Sequence, residues 1–123
     1  MKSNKPFSIK GRLNSFVYAF AGIKSFFRFE PQALIHLMAA SFVIIAGFYF
    51  KIDYKEWTAV VLAIGMVVVA EMLNTAIEKL TDMVSPEINT KAKVVKDLAA
   101  GAVLVASMLA AAIGMFVFLP KMI

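Results

Sequence analysis

Three runs of this chain are too long and too apolar for the surface of a soluble protein. Residues 31–50 read PQALIHLMAASFVIIAGFYF, residues 57–70 read WTAVVLAIGMVVVA, and residues 97–119 read DLAAGAVLVASMLAAAIGMFVFL. About 20 predominantly apolar residues carry a helix across the hydrocarbon of a bilayer. Backbone polar groups there must find partners within the chain, which restricts such runs to helices. The chain is 61% hydrophobic, whereas a soluble domain is nearer half. The expected fold class is therefore an all-α integral membrane protein with three transmembrane helices.

The segments between the runs complete the layout. Residues 1–11 are polar and basic and read as a tail. They lack the compact apolar stretch and small-residue cleavage site of a signal peptide, so none is expected. Over 12–29, Leu13, Phe16, Val17, Phe20, Ile23 and Phe27 recur at helical spacing among Arg12, Lys24 and Arg28. That pattern predicts an N-terminal amphipathic surface helix, lying on the membrane or packed on other protein. The spans are expected at 31–50, 57–84 and 97–119, with polar connections at 51–56 and 85–97, all within a single membrane domain, 1–123.

Charge sets the expected orientation. Lys2, Lys5, Lys10, Arg12, Lys24 and Arg28 precede the first span, and Lys79, Lys91, Lys93 and Lys96 lie around the second connection. Only Lys51, Lys55 and Lys121 fall on the other side. Basic residues concentrate on the cytoplasmic side, so the N-terminus and the 85–97 loop are predicted inside and the C-terminus outside. The net charge of +5 suits this topology and anionic lipid, and no nucleic-acid partner is expected. The chain has no cysteine, which excludes disulfides and thiolate chemistry.

The second span does not stay apolar. It continues as EMLNTAIEKLTDMV, residues 71–84. Glu71, Asn74, Thr75, Glu78 and Asp82 are separated by three or four residues and share one helical face. Counted from Trp57, Glu71 lies ~21 Å along the helix, inside a hydrocarbon layer ~30 Å thick. An ionisable residue at that depth costs at least a few kcal/mol and marks a functional site by default.

Two roles suit these acids. Carboxylates and an amide can hold a hard cation such as Mg²⁺, which prefers oxygen ligands and often bridges to phosphate. A carboxylate in an apolar setting can also serve as a general base. Glu30, at the entrance of the first span, offers a second metal ligand. Lys96 and Asp97, at the entrance of the third, add a phosphate-seeking cation and another acid. Together they describe a phosphoryl-transfer site at one interface. No Gly-rich P-loop is present. A cation- or proton-coupled transporter and a structural membrane subunit remain as rival readings. The transporter would want acids near the midplane, and the subunit gives no reason for the acidic face.

The same residues carry a family resemblance. AEMLNTAIEKLTD, AKVVKDLAAGAVL and GIKSFFRFEPQALIH resemble the signatures of the small bacterial membrane diacylglycerol kinase and undecaprenol kinase family. The resemblance runs from about Arg12 to Lys121. It implies a homotrimer with sites between subunits, which phosphorylates a lipid alcohol from ATP. Carried over, Glu71 is the catalytic base and contacts the lipid hydroxyl. Glu30 and Glu78 hold the divalent metal. Tyr18, Glu30, Asn74, Glu78, Glu87, Asn89, Lys96 and Asp97 bind ATP. The runs FRFEPQALIH and IGMFVFLPK, with His36, resemble the Gram-positive branch. That favours undecaprenol as substrate, with diacylglycerol as the alternative.

Overall fold

A computed structural model describes residues 6–123. It is all-helical over those residues, with α1 (Ile9–Phe29), α2 (Pro31–Tyr49), α3 (Tyr54–Val84) and α4 (Thr90–Met122). The chain divides into two compact units, one ending at Leu34 and one running from Ile35 to Ile123.

In the first unit, α1 begins at Ile9, three residues before the expected start at Arg12. The reason is a cap: Ser8 is extended and its Oγ accepts a hydrogen bond from the Gly11 N–H at 3.0 Å. Such a cap satisfies one of the donors a helix start leaves unpaired. The stripe Leu13, Phe16, Val17 and Phe20 is exposed. Glu30 ends the helix in an extended conformation. The ring of Pro31 disfavours a helical backbone in the residue before it. The same proline opens α2, where its missing N–H costs nothing.

The second unit is a set of three long helices. After Tyr49, α2 closes with the Lys51 N–H bonded to Phe48 O and the Ile52 N–H to Gly47 O, at 3.3 and 3.2 Å. This is a Schellman closure. Lys51 occupies its left-handed position with φ of 53°, a place usually given to glycine because a Cβ there costs about 1 kcal/mol. Ile52, next along, is buried and anchors the turn.

α3 starts at Tyr54 rather than at Trp57. Asp53 and Glu56 form a capping box: the Glu56 N–H donates to Asp53 Oδ1 at 2.9 Å, and the Asp53 N–H to Glu56 Oε1 at 3.0 Å. The D-x-x-E spacing that makes this box lies within the stretch expected to be loop. Glu56 also meets Lys121 Nζ at 3.2 Å, tying the start of α3 to the end of α4.

The largest correction concerns α4, which begins at Thr90 and not at residue 97. Asn89 Oδ1 accepts from the N–H groups of Lys91 and Ala92. Lys, Ala and Val are all acceptable in a helix once it is capped. The polarity of KAKVVKD marks the end of the apolar surface, not the end of the helix. At 33 residues α4 is about 50 Å long, well beyond a hydrocarbon core of about 30 Å.

α3 and α4 pack together along their length. Ala99 and Ala106 are buried on α4, and Val60, Ala63 and Val67 on α3. Such small residues let helices approach closely where no hydrophobic effect drives them together. A tighter cluster of Ile52, Val60 and Val117 is wrapped by Phe50, Trp57, Ile113 and Phe118. Elsewhere large apolar side chains face outward: Phe42, Ile45, Leu62, Leu104 and Phe116 are all exposed. With three helices long and apolar enough to cross a membrane, the chain is a membrane protein.

Gly47 faces the Trp57 ring, and a Cβ there would come within 2.5 Å of the ring edge. Val has slightly better helix propensity than Gly, but overpacking costs about 1–3 kcal/mol, so the clash dominates. Gly47→Val should lower the midpoint of thermal unfolding in detergent micelles. An unchanged or higher midpoint would show that Trp57 yields freely.

Candidate functional site

The acidic face of α3 carries the polar residues that the sequence singled out. Glu71 and Thr75 are buried, each 8% exposed. One turn on, the Asn74 amide donates from Nδ2 to Glu78 Oε1 at 2.8 Å. The two residues are four apart, the spacing at which helical side chains meet. Asn74 Oδ1 is buried and has no hydrogen-bond partner among the described residues. An orphaned buried acceptor costs about 1–3 kcal/mol, and it stands beside the Glu78 carboxylate. Among the described residues, Asn74 is also the one polar residue lining an apolar groove of 820 Å³ between α3 and α4.

Glu71 has a partner on another helix. His36, on α2, brings Nε2 to 3.3 Å from Glu71 Oε1. His36 lies six residues into α2 and is partly buried. His36 also borders a small cavity of 140 Å³ whose lining includes Ala39, Ala40, Ala63 and Val67.

Beyond Glu78 the face becomes wet. Asp82 Oδ1 meets Lys96 Nζ at 2.5 Å, joining α3 to α4. Lys93 Nζ meets Asp97 Oδ2 at 2.6 Å, one turn apart on α4. The Asp82, Lys93 and Asp97 side chains are more than half exposed, so each pair contributes at most about 1 kcal/mol. Their positions matter more than their energy. Asp82, Glu87, Asn89, Lys93, Lys96 and Asp97 border one cleft of 290 Å³ at the α3–α4 turn. Asn89 sits there because it caps α4, and Glu87 because Pro86 follows the end of α3 at Ser85.

Four residues assigned to ATP by resemblance, Glu87, Asn89, Lys96 and Asp97, are thus brought together. Asn74 and Glu78 form a second group on α3. Tyr18 is exposed on α1, and Glu30 is half-buried at the break before α2; both belong to the first unit. Among the described residues, no three His, Cys, Asp or Glu side chains gather into a metal-holding set. Mg²⁺ asks less of a protein than that, because it takes one or two carboxylates and completes its shell with water and substrate phosphates. Glu78 and the orphaned Asn74 oxygen are oxygen donors of the right kind.

Two neighbours of the candidate residues are not among those the sequence singles out. Lys93 falls in the expected 85–97 connection, although its i,i+4 spacing to Asp97 is a visible signal. His36 reads from sequence as a branch marker or as a packing or hydrogen-bonding residue, and its approach to Glu71 depends on how α2 lies against α3.

The chain thus carries a buried carboxylate on α3, an apolar span-length helix, and a charged cleft at the α3–α4 turn. Comparison with known proteins gives its class. The model of the prokaryotic diacylglycerol kinase family matches residues 17–118. The chain is 41% identical over 108 residues to undecaprenol kinase of Bacillus subtilis (strain 168), covering 88% of each protein. It is 34% identical over 112 residues to diacylglycerol kinase of Synechocystis, covering 90% of this chain and 64% of that one. It is 32% identical over 88 residues to diacylglycerol kinase of Helicobacter pylori (strain J99), covering 72% and 69%. The chain belongs to the prokaryotic diacylglycerol kinase family. It is a membrane lipid kinase of that ATP-dependent family, and this decides against the transporter and structural-subunit readings.

Proposed function

We propose that this chain transfers the γ-phosphoryl group of ATP to the hydroxyl of undecaprenol, giving undecaprenyl phosphate. The observation that carries the reading is the buried Glu71 carboxylate, one face and two turns from Glu78. A lipid hydroxyl is a weak nucleophile and needs a base within reach as it attacks. Glu71 takes the hydroxyl proton. The lipid oxygen bonds to the γ-phosphorus as the bond to the β,γ-bridging oxygen breaks, and ADP leaves.

The other residues bind and orient. Lys96 meets the phosphates, and Asp97, Glu87 and Asn89 border the cleft for the rest of the nucleotide, with Tyr18 contributing from α1. Asn74 holds the Glu78 carboxylate in place. Glu30 and Glu78 would hold a divalent metal, Mg²⁺, whose charge offsets that of the transferring phosphoryl group. The orphaned Asn74 oxygen supports a cation nearby.

The proposed setting is the bacterial cell membrane. The distribution of lysine and arginine supports a cytoplasmic N-terminus and 85–97 loop, with the C-terminus outside. The open apolar stripe of α1 supports its lying on the membrane surface. The chain then acts as one membrane domain. The exposed apolar faces and the groove between α3 and α4 support assembly with further copies, in a homotrimer with sites between subunits.

Undecaprenol is favoured over diacylglycerol because the 41% relative bears the former name and the 34% and 32% relatives the latter. The test is phosphate transfer from labelled ATP and Mg²⁺ in mixed micelles, with the two lipids offered separately and in competition. Preferential labelling of undecaprenol is expected. Preferential labelling of diacylglycerol would overturn the substrate and leave the chemistry standing.

The metal assignment has its own test. Glu78→Gln and Glu30→Gln should each move the Mg²⁺ dependence of turnover to higher concentration, by about tenfold for a lost carboxylate ligand. Unchanged Mg²⁺ titrations in both variants would remove these residues from the metal site.

A further inference from the structure

We propose that His36 is the positioning residue for the base: its Nε2–H donates to Glu71 Oε1 and holds that carboxylate facing the lipid hydroxyl. The inference rests on the reading of Glu71 as general base.

Three observations converge on it. First, Nε2 of His36 lies 3.3 Å from Glu71 Oε1. That is long for an N–H···O bond, and catalytic hydrogen bonds often tighten only when substrate is bound. Second, the contact joins two helices, so it fixes both the carboxylate and the spacing of α2 from α3 at the site. Third, the imidazole borders an apolar cavity whose lining includes Ala39, Ala40, Val43 and Ala63. The other residues that line it are all apolar and offer Nε2 no side-chain hydrogen-bond partner.

The chemistry explains why a partner is needed. Glu71 has three side-chain torsions, and nothing in a hydrocarbon setting favours the one that faces the substrate. A base misplaced by about 1 Å can lose about 100-fold in rate. Histidine carries a proton on Nε2 as the cation and in one neutral tautomer, so the donor does not require a buried positive charge. A ring in place of a longer flexible cation also loses little freedom on ordering.

The prediction is a split between catalysis and binding. In His36→Leu, apolar volume is kept and the donor is lost. With undecaprenol and, in parallel, diacylglycerol in mixed micelles at saturating Mg²⁺, kcat should fall about 10- to 100-fold. KM for ATP should stay within about twofold, because the nucleotide cleft is elsewhere on α3 and α4. His36→Gln, whose amide nitrogen reaches about as far as Nε2, should recover most of the loss. His36→Asn, one methylene shorter, should not. A residue needed only for packing would give equal losses in the Gln and Asn variants. Parallel thermal unfolding of each variant identifies any that fails to fold, and the Gln–Asn comparison then decides.

Double substitution separates the two hypotheses. Glu71→Asp displaces the carboxylate, so His36→Leu should cost little more in that background, and the two losses should not multiply. Normal turnover in His36→Leu, or multiplying losses in the double variant, would overturn the positioning role while leaving the base intact. Normal turnover in Glu71→Gln would instead overturn the base and the inference with it.

Discussion

A carboxylate buried on an apolar helix is the costly feature around which the rest of this molecule is arranged. Glu71 is buried on a helix that is otherwise Val, Ala, Ile, Gly and Met over the preceding two turns. Such a group is retained only where neighbours and chemistry compensate for lost water. Helix periodicity places Asn74, Thr75 and Glu78 on the same face, and α2 supplies an imidazole. The polar face is therefore a local exception in an apolar bundle, placed where the sequence of α3 passes from apolar to polar.

That passage also accounts for the helix lengths. α3 and α4 run for 31 and 33 residues, several turns more than a bilayer core requires. The surplus is polar, and it is what builds the charged cleft. Had α4 begun at residue 97, Lys93 and Asp97 would not lie one turn apart on a rigid element. The Asn89 cap thus serves the site as well as the helix, since it starts the turn that carries Lys93 and Lys96. The ion pairs there are exposed and weak, and the proposed binding of phosphate by Lys96 would break little that holds the fold.

Much of this was legible in the residues. Three apolar runs dictated three long helices, and the spacing of Glu71, Asn74 and Glu78 dictated their common face. Boundaries were less legible, for one physical reason: hydropathy reports where lipid ends, whereas caps report where helices end. Asp53-Tyr-Lys-Glu56 and Asn89 each carried a capping signal inside a segment read as loop. The Schellman turn at Lys51 was hidden because the residue in its left-handed position is not glycine. The contact of His36 with Glu71 was beyond the sequence altogether, since it depends on the rotation and depth of α2 relative to α3.

Turnover by Glu71→Gln is the most direct measurement of whether the buried carboxylate is the chemical centre. The variant keeps shape and hydrogen-bonding capacity but cannot accept a proton. Phosphoryl transfer should fall by at least about 100-fold, the usual contribution of a general base, while ATP binding and thermal unfolding stay near those of the parent. Near-normal transfer by a folded, ATP-binding Glu71→Gln protein would contradict the central role given to this residue.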